Sequence, residues 1–275
     1  MAREAGHPAE HRVLVCPPDH YRISYEINPW MRLERGANPH IARVQWDTLV
    51  SVLEKECGAT LEQIEPVENL PDMVFTANAG VVSGRSVILS RFRCLQRQPE
   101  EERFARWFEA HGYAVVRLPR EFSFEGAGDL LGGGEVWFGG YGQRSDLRAY
   151  HHLGLLEGRA IIPLKLVDPW FYHLDTCLCP LAGNGVLWFP GAFDRQGRAV
   201  IRDLVPSSHR IEVVEEDALR FACNAVSLGR HVVLPEGCSD TMTQLEAHGY
   251  QPHAVCLSEF IKAGGAAKCL TLMLS

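Results

Sequence analysis

The pentapeptide Phe75-Thr-Ala-Asn78-Ala79 returns far along the chain as Phe221-Ala-Cys-Asn224-Ala225. Each copy leads into an apolar segment, a short turn containing glycine and a second strand-like segment, residues 86–89 in the first copy and 231–234 in the second. A second echo, His111-Gly112-Tyr113 and His248-Gly249-Tyr250, is expected to close a helix and open a strand, over 114–118 and 254–257. A chain that repeats itself in this way folds as stacked copies of one small unit that cannot bury a core alone. Strand starts near Asp72, Glu125, His173, Asn224 and Cys269 follow one another at roughly 50 residues, the upper edge of the periods of propellers and arrays.

Helix signals punctuate the same period. Asn38 suits an N-cap and Pro39 the first helical position, and Gly58 stops the helix expected over 39–57, whose apolar stripe reads Ile41, Val44, Leu49, Val52 and Leu53. A second helix is expected over 99–111, with Glu100, Glu101 and Glu102 in the first turn, where the helix dipole favours anions, and Phe104, Trp107 and Phe108 on its inner face. Further helices are expected after Ser145 and Ser239. Short strand pairs alternating with helices, without a linker between them, describe one α/β domain over 12–275 with strands inside and helices outside. The polar residues 1–11 read as a loose tail.

Composition excludes several classes of partner. The chain has 275 residues and a formal net charge of -7, without the clustered Lys and Arg that nucleic acid requires. No apolar run approaches the roughly 18 residues that cross a bilayer, so no membrane partner is expected. Nine cysteines, an odd count at irregular spacing, with no secretory signal, argue for a reducing cytoplasmic setting. Cys177 and Cys179 have no second pair at zinc-ligand spacing and read as core residues. The run Gly132-Gly133-Gly134 reads as a hairpin turn and not a nucleotide loop, because G-x-G-x-x-G spacing is missing.

Chemistry-bearing residues gather at the starts of the repeated units. Cys269 follows the small residues Gly264, Gly265, Ala266 and Ala267 and opens an apolar run, 270–274, expected to be the last strand. His173 and Asp175 stand in Phe-Tyr-His-Leu-Asp, and Glu125 and Asp129 flank Gly-Ala-Gly. Of these two, Asp129 is the better candidate for bracing backbone N–H groups. Asp72 after Pro71 suits a turn, a cap or a site equally. Asn28-Pro29-Trp30-Met31 reads either as a substrate-covering loop or as an ordinary aromatic-anchored one.

Taken in order, Pro71-Asp72-Met-Val-Phe75-Thr-Ala-Asn78, Glu125-Gly-Ala-Gly-Asp129, His173-Leu-Asp175 and the late Cys269 resemble the guanidine-modifying enzymes: arginine deiminases, dimethylarginine dimethylaminohydrolases and amidinotransferases. The resemblance runs from Val13 to Leu274. It implies a pseudo-fivefold αβ propeller, the pentein fold, built from ββαβ modules around a central active site. It implies Cys269 as nucleophile, its pKa lowered by nearby positive charge including the bound cation, and His173 as the proton carrier. Glu125 and Asp175 would pair with guanidinium N–H groups. Arg144 and Arg91 are the preferred partners for a substrate carboxylate, and no metal or other cofactor is called for. Where arginine deiminases carry an aspartate, this chain has Asn78. An amide can accept from a guanidinium and donate to a neutral ureido oxygen. That departure, with the Asn28 loop, resembles the arginine dihydrolases, which carry arginine through to ornithine, carbon dioxide and two ammonia molecules. Dimethylarginine hydrolase, deiminase, citrulline hydrolase, amidinotransferase and a non-enzymatic ribosome-binding propeller are the alternatives. A homodimer is compatible with the family.

Overall fold

The computed structural model describes residues 11–133, 136–158 and 160–274. Residues 1–10 of the expected tail and Gly134 of the expected hairpin turn lie outside them.

The chain enters through β1 (Arg12–Val15), crosses α1 (Pro39–Lys55) and returns as β2 (Thr60–Gln63), parallel to β1. Four complete units follow. In the first, β3 (Gly80–Ser83) and β4 (Ser86–Leu89) are antiparallel, α2 (Glu100–Ala110) crosses over, and β5 (Ala114–Arg117) lies parallel to β4. The second repeats this with β6 (Leu130–Gly133), β7 (Val136–Tyr141), α3 (Leu147–Glu157) and β8 (Ile161–Lys165). The third comprises β9 (Leu178–Leu181), β10 (Gly185–Trp188), α4 (Arg195–Leu204) and β11 (Arg210–Glu212).

After the short α5 (Glu215–Ala218) comes the fourth unit, β12 (Val226–Leu228), β13 (His231–Pro235), α6 (Ser239–Ala247) and β14 (Gln251–Val255). Then α7 (Ser258–Ile261) leads to β15 (Leu272–Met273), which pairs antiparallel with β1. The last strand thus supplies the missing first strand of the opening unit. Five three-stranded sheets of one plan result, and the fold is the expected αβ propeller. The first strand of every unit faces the middle, where Val81, Leu131, Cys179, Val226 and Leu272 line a central cavity of about 250 Å3.

The helices cover the outside because each has one apolar face. On α1 that face is Ala42, Trp46, Leu49 and Leu53 with Gln45, whereas Ile41 and Val44, expected on it, are exposed. The helix rotates to put Trp46 under the sheet, which leaves the shorter side chains outside. Asn38 caps α1 by accepting from His40 and Ile41 N–H. In α2, Phe104 and Phe108 are fully buried, each contributing about 1.5–3 kcal/mol. Glu100 and Glu101 are buried too, as partners of arginines rather than as solvated first-turn charges.

Two strands differ from expectation. The strand after His248-Gly249-Tyr250 begins at once, Gln251–Val255, and has ended before Leu257. The last strand is only Leu272–Met273, so Cys269 sits in a turn three residues ahead of it. Cys177 and Cys179 are buried in the core, and all nine cysteines are free thiols.

Candidate active site

Each inner strand is preceded by a tight turn, and these turns carry the polar residues inward. Asn78 sits in Thr76–Ala79 before β3, Glu125 before Gly126–Gly128 and β6, and Asp175 in Leu174–Thr176 before β9. Asn224 precedes β12 and Cys269 precedes β15. The segments that lead into the five inner strands therefore bring these residues together at one end of the central axis. The approach is close at Gly128, where an added Cβ would stand 2.3 Å from Asn78 Nδ2 and 3.5 Å from the His173 ring.

Cys269 is 2% exposed, and its Sγ lies 3.4 Å from Asp175 Oδ2, to which it donates. Asn224 holds the same segment from the other side. Its Nδ2 donates to Cys269 Sγ (3.1 Å) and to Asp175 O (3.1 Å), and its Oδ1 accepts from Ala266 N (2.9 Å) and Cys269 N (3.1 Å). The small residues before the thiol serve this packing: Gly264 has φ of +84°, and a Cβ there would come within 2.9 Å of Tyr172 Oη. In the free protein, burial and the neighbouring Asp175 raise the Cys269 pKa well above that of an ordinary thiol, contrary to the lowered value expected. Burial likewise pushes Asp175 up to about 7, despite Lys268 and the bonds from Cys269 and Asn224. Lys268 is half-buried and lines the central cavity below the thiol.

His173 and Glu125 form the second half of the site. His173 Nε2 is 2.7 Å from Glu125 Oε2, and its Nδ1 has no partner. Glu125 also receives Arg144 Nη1 (3.1 Å) and Arg93 N (3.2 Å). Although burial acts to raise it, the charges of Arg144 and His173 hold the Glu125 carboxyl well below the usual carboxylate range. Glu125 therefore orients His173 and Arg144. Asp129 braces: Oδ2 accepts from Ser145 Oγ (2.6 Å) and Oδ1 from Leu174 N (3.0 Å), which fixes the segment bearing His173.

Asn78 donates from Nδ2 to Glu125 O (2.9 Å), while its Oδ1 accepts from Arg97 Nη1 (2.8 Å). Arg97, 4% exposed, is bidentate to Glu100 (3.0 and 2.8 Å) and reaches Asp72 O (3.1 Å). Buried Asp72 keeps one oxygen, Oδ1, without a partner, as does Asp175. Asn28 folds its loop back, accepting from Trp30 N (2.9 Å) and Met31 N (3.2 Å), and pins it to Ala263 O through Nδ2 (3.0 Å).

Asn28, Met31, Asp72, Phe75, Asn78, Arg97, Arg144, Tyr172 and Cys269 surround a cavity of only about 10 Å3, enough for about one water. Of the two arginines preferred for a carboxylate, Arg144 lines this cavity and also donates to Ile27 O (2.6 Å). Arg91 does not line it. Its guanidinium bonds Glu101 Oε2 (3.3 Å) and Leu118 O (3.1 Å).

A thiol, an imidazole and carboxylates gathered beside one closed slot fit attack on a planar guanidinium carbon. The family model for eukaryotic N,N-dimethylarginine dimethylhydrolase matches residues 25–275. The chain belongs to this family. It is 44% identical over 265 residues to the bifunctional arginine dihydrolase/ornithine cyclodeaminase ArgZ of Synechocystis, a match covering 95% of this chain and 37% of that protein. It is 38% identical over 265 residues to the dimethylarginine dimethylaminohydrolase of Mycobacterium tuberculosis, covering 96% and 86%. A crystal structure of the N-terminal domain of ArgZ, with an asparagine changed to serine and covalently bonded to a reaction intermediate, superposes with a TM-score of 0.93 at 43% identity, covering 97% and 98%. The chain thus spans little more than a third of the bifunctional relatives.

Within this family site, Asn224, Arg97 and Lys268 are residues that the motifs did not single out. Asn224 was marked by the repeat itself, as the echo of Asn78. Arg97 carried no signal, since it stands in Gln96-Arg97-Gln98 just before a helix.

Proposed function

We propose that this chain hydrolyses arginine to ornithine, carbon dioxide and two ammonia molecules through a covalent bond to Cys269. The observation that carries the reading is Cys269 beside Asp175 and Asn224, with Asn78 held between Glu125 O and Arg97 in the same slot. A guanidinium entering this slot supplies the positive charge that the buried thiol lacks. The thiol proton then passes to Asp175, whose pKa near 7 makes it a competent acceptor.

The thiolate attacks the guanidinium carbon, and the departing nitrogen takes a proton from His173 and leaves as ammonia. His173 next removes a proton from water, which attacks the carbon and breaks the C–S bond to give the ureido group. In the second round the ureido carbon is attacked, with Asn78 supporting its oxygen. Loss of the second ammonia and hydrolysis leave a carbamate that separates into carbon dioxide and the ornithine amine. The unpaired oxygens of Asp72 and Asp175 are acceptors for substrate N–H groups, and Arg144 is the nearest cation for the α-carboxylate. Arg91 takes part only if it releases Glu101. The covalent intermediate seen in the ArgZ domain supports the nucleophilic route.

A dimethylarginine hydrolase is the second reading, favoured by the family model and the Mycobacterium relative. Incubation with arginine, citrulline and dimethylarginine, with products resolved by mass spectrometry, separates the two. Ornithine and two ammonia equivalents from arginine are expected; arginine that stops at citrulline, or turnover of dimethylarginine alone, overturns the dihydrolase reading. Cys269→Ala should abolish every one of these activities with the fold retained, and residual ammonia release by the folded variant would remove Cys269 from the mechanism. Activity after dialysis against chelator should be unchanged. A cytoplasmic setting and a homodimer belong to the same proposal, and light scattering of the purified protein tests the latter.

A further inference from the structure

Away from the active site, the end of α1 and the β13–β14 ladder bring three metal-ligating side chains together. Cys57 follows the last turn of α1, its N–H donating to Val52 O (3.2 Å), and Gly58, at φ of +68°, turns the chain toward β2. In the parallel ladder His231 is opposite Gln251 and Val233 opposite His253. Alternation along a strand therefore sets His231 and His253 on one face. The imidazoles stack with centroids 5.1 Å apart and planes at 26°, and His231 Nδ1 is 2.9 Å from His253 Nε2. One donor atom from each of Cys57, His231 and His253 lies within 4.8 Å of the others. Among the described residues no other three such side chains gather as closely.

We propose that Cys57, His231 and His253 bind a borderline-soft divalent ion, zinc foremost, with a fourth position open to water. Two imidazole nitrogens and a sulfur are the donor set that such ions prefer, at about 2.0–2.1 Å and 2.3 Å respectively. Tetrahedral bonds of those lengths set donors about 3.3–3.6 Å apart, so the ion needs only small side-chain rotations from the observed cluster. The thiol loses its proton to solvent, and the proton shared between the two rings moves to the outer nitrogen of one of them. Both imidazoles are half-buried, which gives an ion a path from solvent while Cys57 holds the inner position.

The ion would clamp α1 of the unit closed by the nucleophile-bearing segment to the neighbouring sheet. The same helix bonds α7 through Gln45, which donates to Ser258 Oγ (2.8 Å) and accepts from Glu259 N (3.0 Å). The role is thus structural, holding α1 to the neighbouring sheet, with no part in the reaction at Cys269. No sequence motif announces it, because the ligands come from three separated elements.

The test uses the full chain with Cys269→Ser, so that the active-site thiol cannot bind metal. Metal-free protein titrated with cobalt(II) should take up one ion per chain and show a thiolate charge-transfer band with tetrahedral d–d bands. Cys57→Ser should abolish the charge-transfer band, and His231→Gln or His253→Gln should weaken binding by about tenfold or more. Zinc should displace the cobalt and raise the unfolding temperature only when the triad is intact. Absence of binding by the folded protein at sub-millimolar cobalt overturns the proposal. So does a charge-transfer band or zinc-induced thermal shift that persists when all three residues are replaced.

Discussion

Burial and Asp175 keep the proton on Cys269 against the donor of Asn224, so its reactivity depends on what fills the slot beside it. Asp175 is the group that couples this chemistry to stability. An acid whose folded pKa is raised binds its proton more tightly when folded, so its contribution to stability is full below the unfolded value near 4 and is lost as pH rises through about 7. Asp175→Asn should therefore gain stability relative to the parent protein between pH 4 and 7. Urea unfolding at several pH values checks this, and a pH-independent difference would mean that Asp175 is not raised by its burial. Asn78→Asp tests selectivity at the same scale. The new carboxylate would meet Arg97 well but would turn an oxygen toward Glu125 O and lose its donor to a ureido group. Formation of ornithine should fall relative to formation of citrulline by about 10- to 100-fold, the equivalent of 1.5–3 kcal/mol. An unchanged product ratio would leave Asn78 a bystander. The residue types of the site could be read from motifs, since each chemistry demands a particular side chain. Their pairing could not: that Glu125 is committed to His173 and Arg144, and that Arg97 occupies the Asn78 oxygen, follows from which turns the fold brings together.

The loop of residues 28–31 shows what an element adds. Trp30 Nε1 donates to Trp170 O (2.8 Å), the two indoles meet edge to face at 4.9 Å, and Trp30 also lies against Phe221 at 4.7 Å. Since the cavity beneath holds about one water, a substrate the size of arginine enters only when this latch opens. Trp30→Ala should raise KM for arginine by about tenfold, as expected for lost closure, with a modest fall in unfolding temperature from the half-buried indole packed on the core. Unaltered kinetics would make the loop ornamental to the site. Helices with clear caps, such as α1 with Asn38 and Pro39, were legible in the sequence, and the glycine turns marked most hairpins. The α4 helix was not: Gly197 interrupts its pattern, and only Asp194, accepting from Gly197 N (2.7 Å), signals its start. The brevity of β15 was hidden as well, because Cys269 and Leu270 are apolar and buried while lying in a turn.

The molecule as a whole is closed by its own ends. Without β15 the opening unit would have two strands, β1 would present an unpaired edge, and the turn carrying Cys269 would have no anchor after it. Leu272 and Leu274 are 1% and 2% exposed and pack with Leu14, Met73 and Leu89, so the closure is made by side chains from two neighbouring units. Leu272→Ala should cost about 2–5 kcal/mol, the range for a buried leucine whose cavity cannot fully collapse. The site lies within the ring and not on one unit, so activity should fall along the same denaturant curve as the global fold. The contrasting outcome is specific: if activity disappears well before the far units, β6 to β11, lose structure, then the seam opens by itself and the five units are not one cooperative ring. Hydrogen exchange of β1 and β15 against β7 and β10 in the variant reads the difference directly, since a cooperative ring exchanges all four strands at a common free energy and a loose seam exchanges the first pair alone.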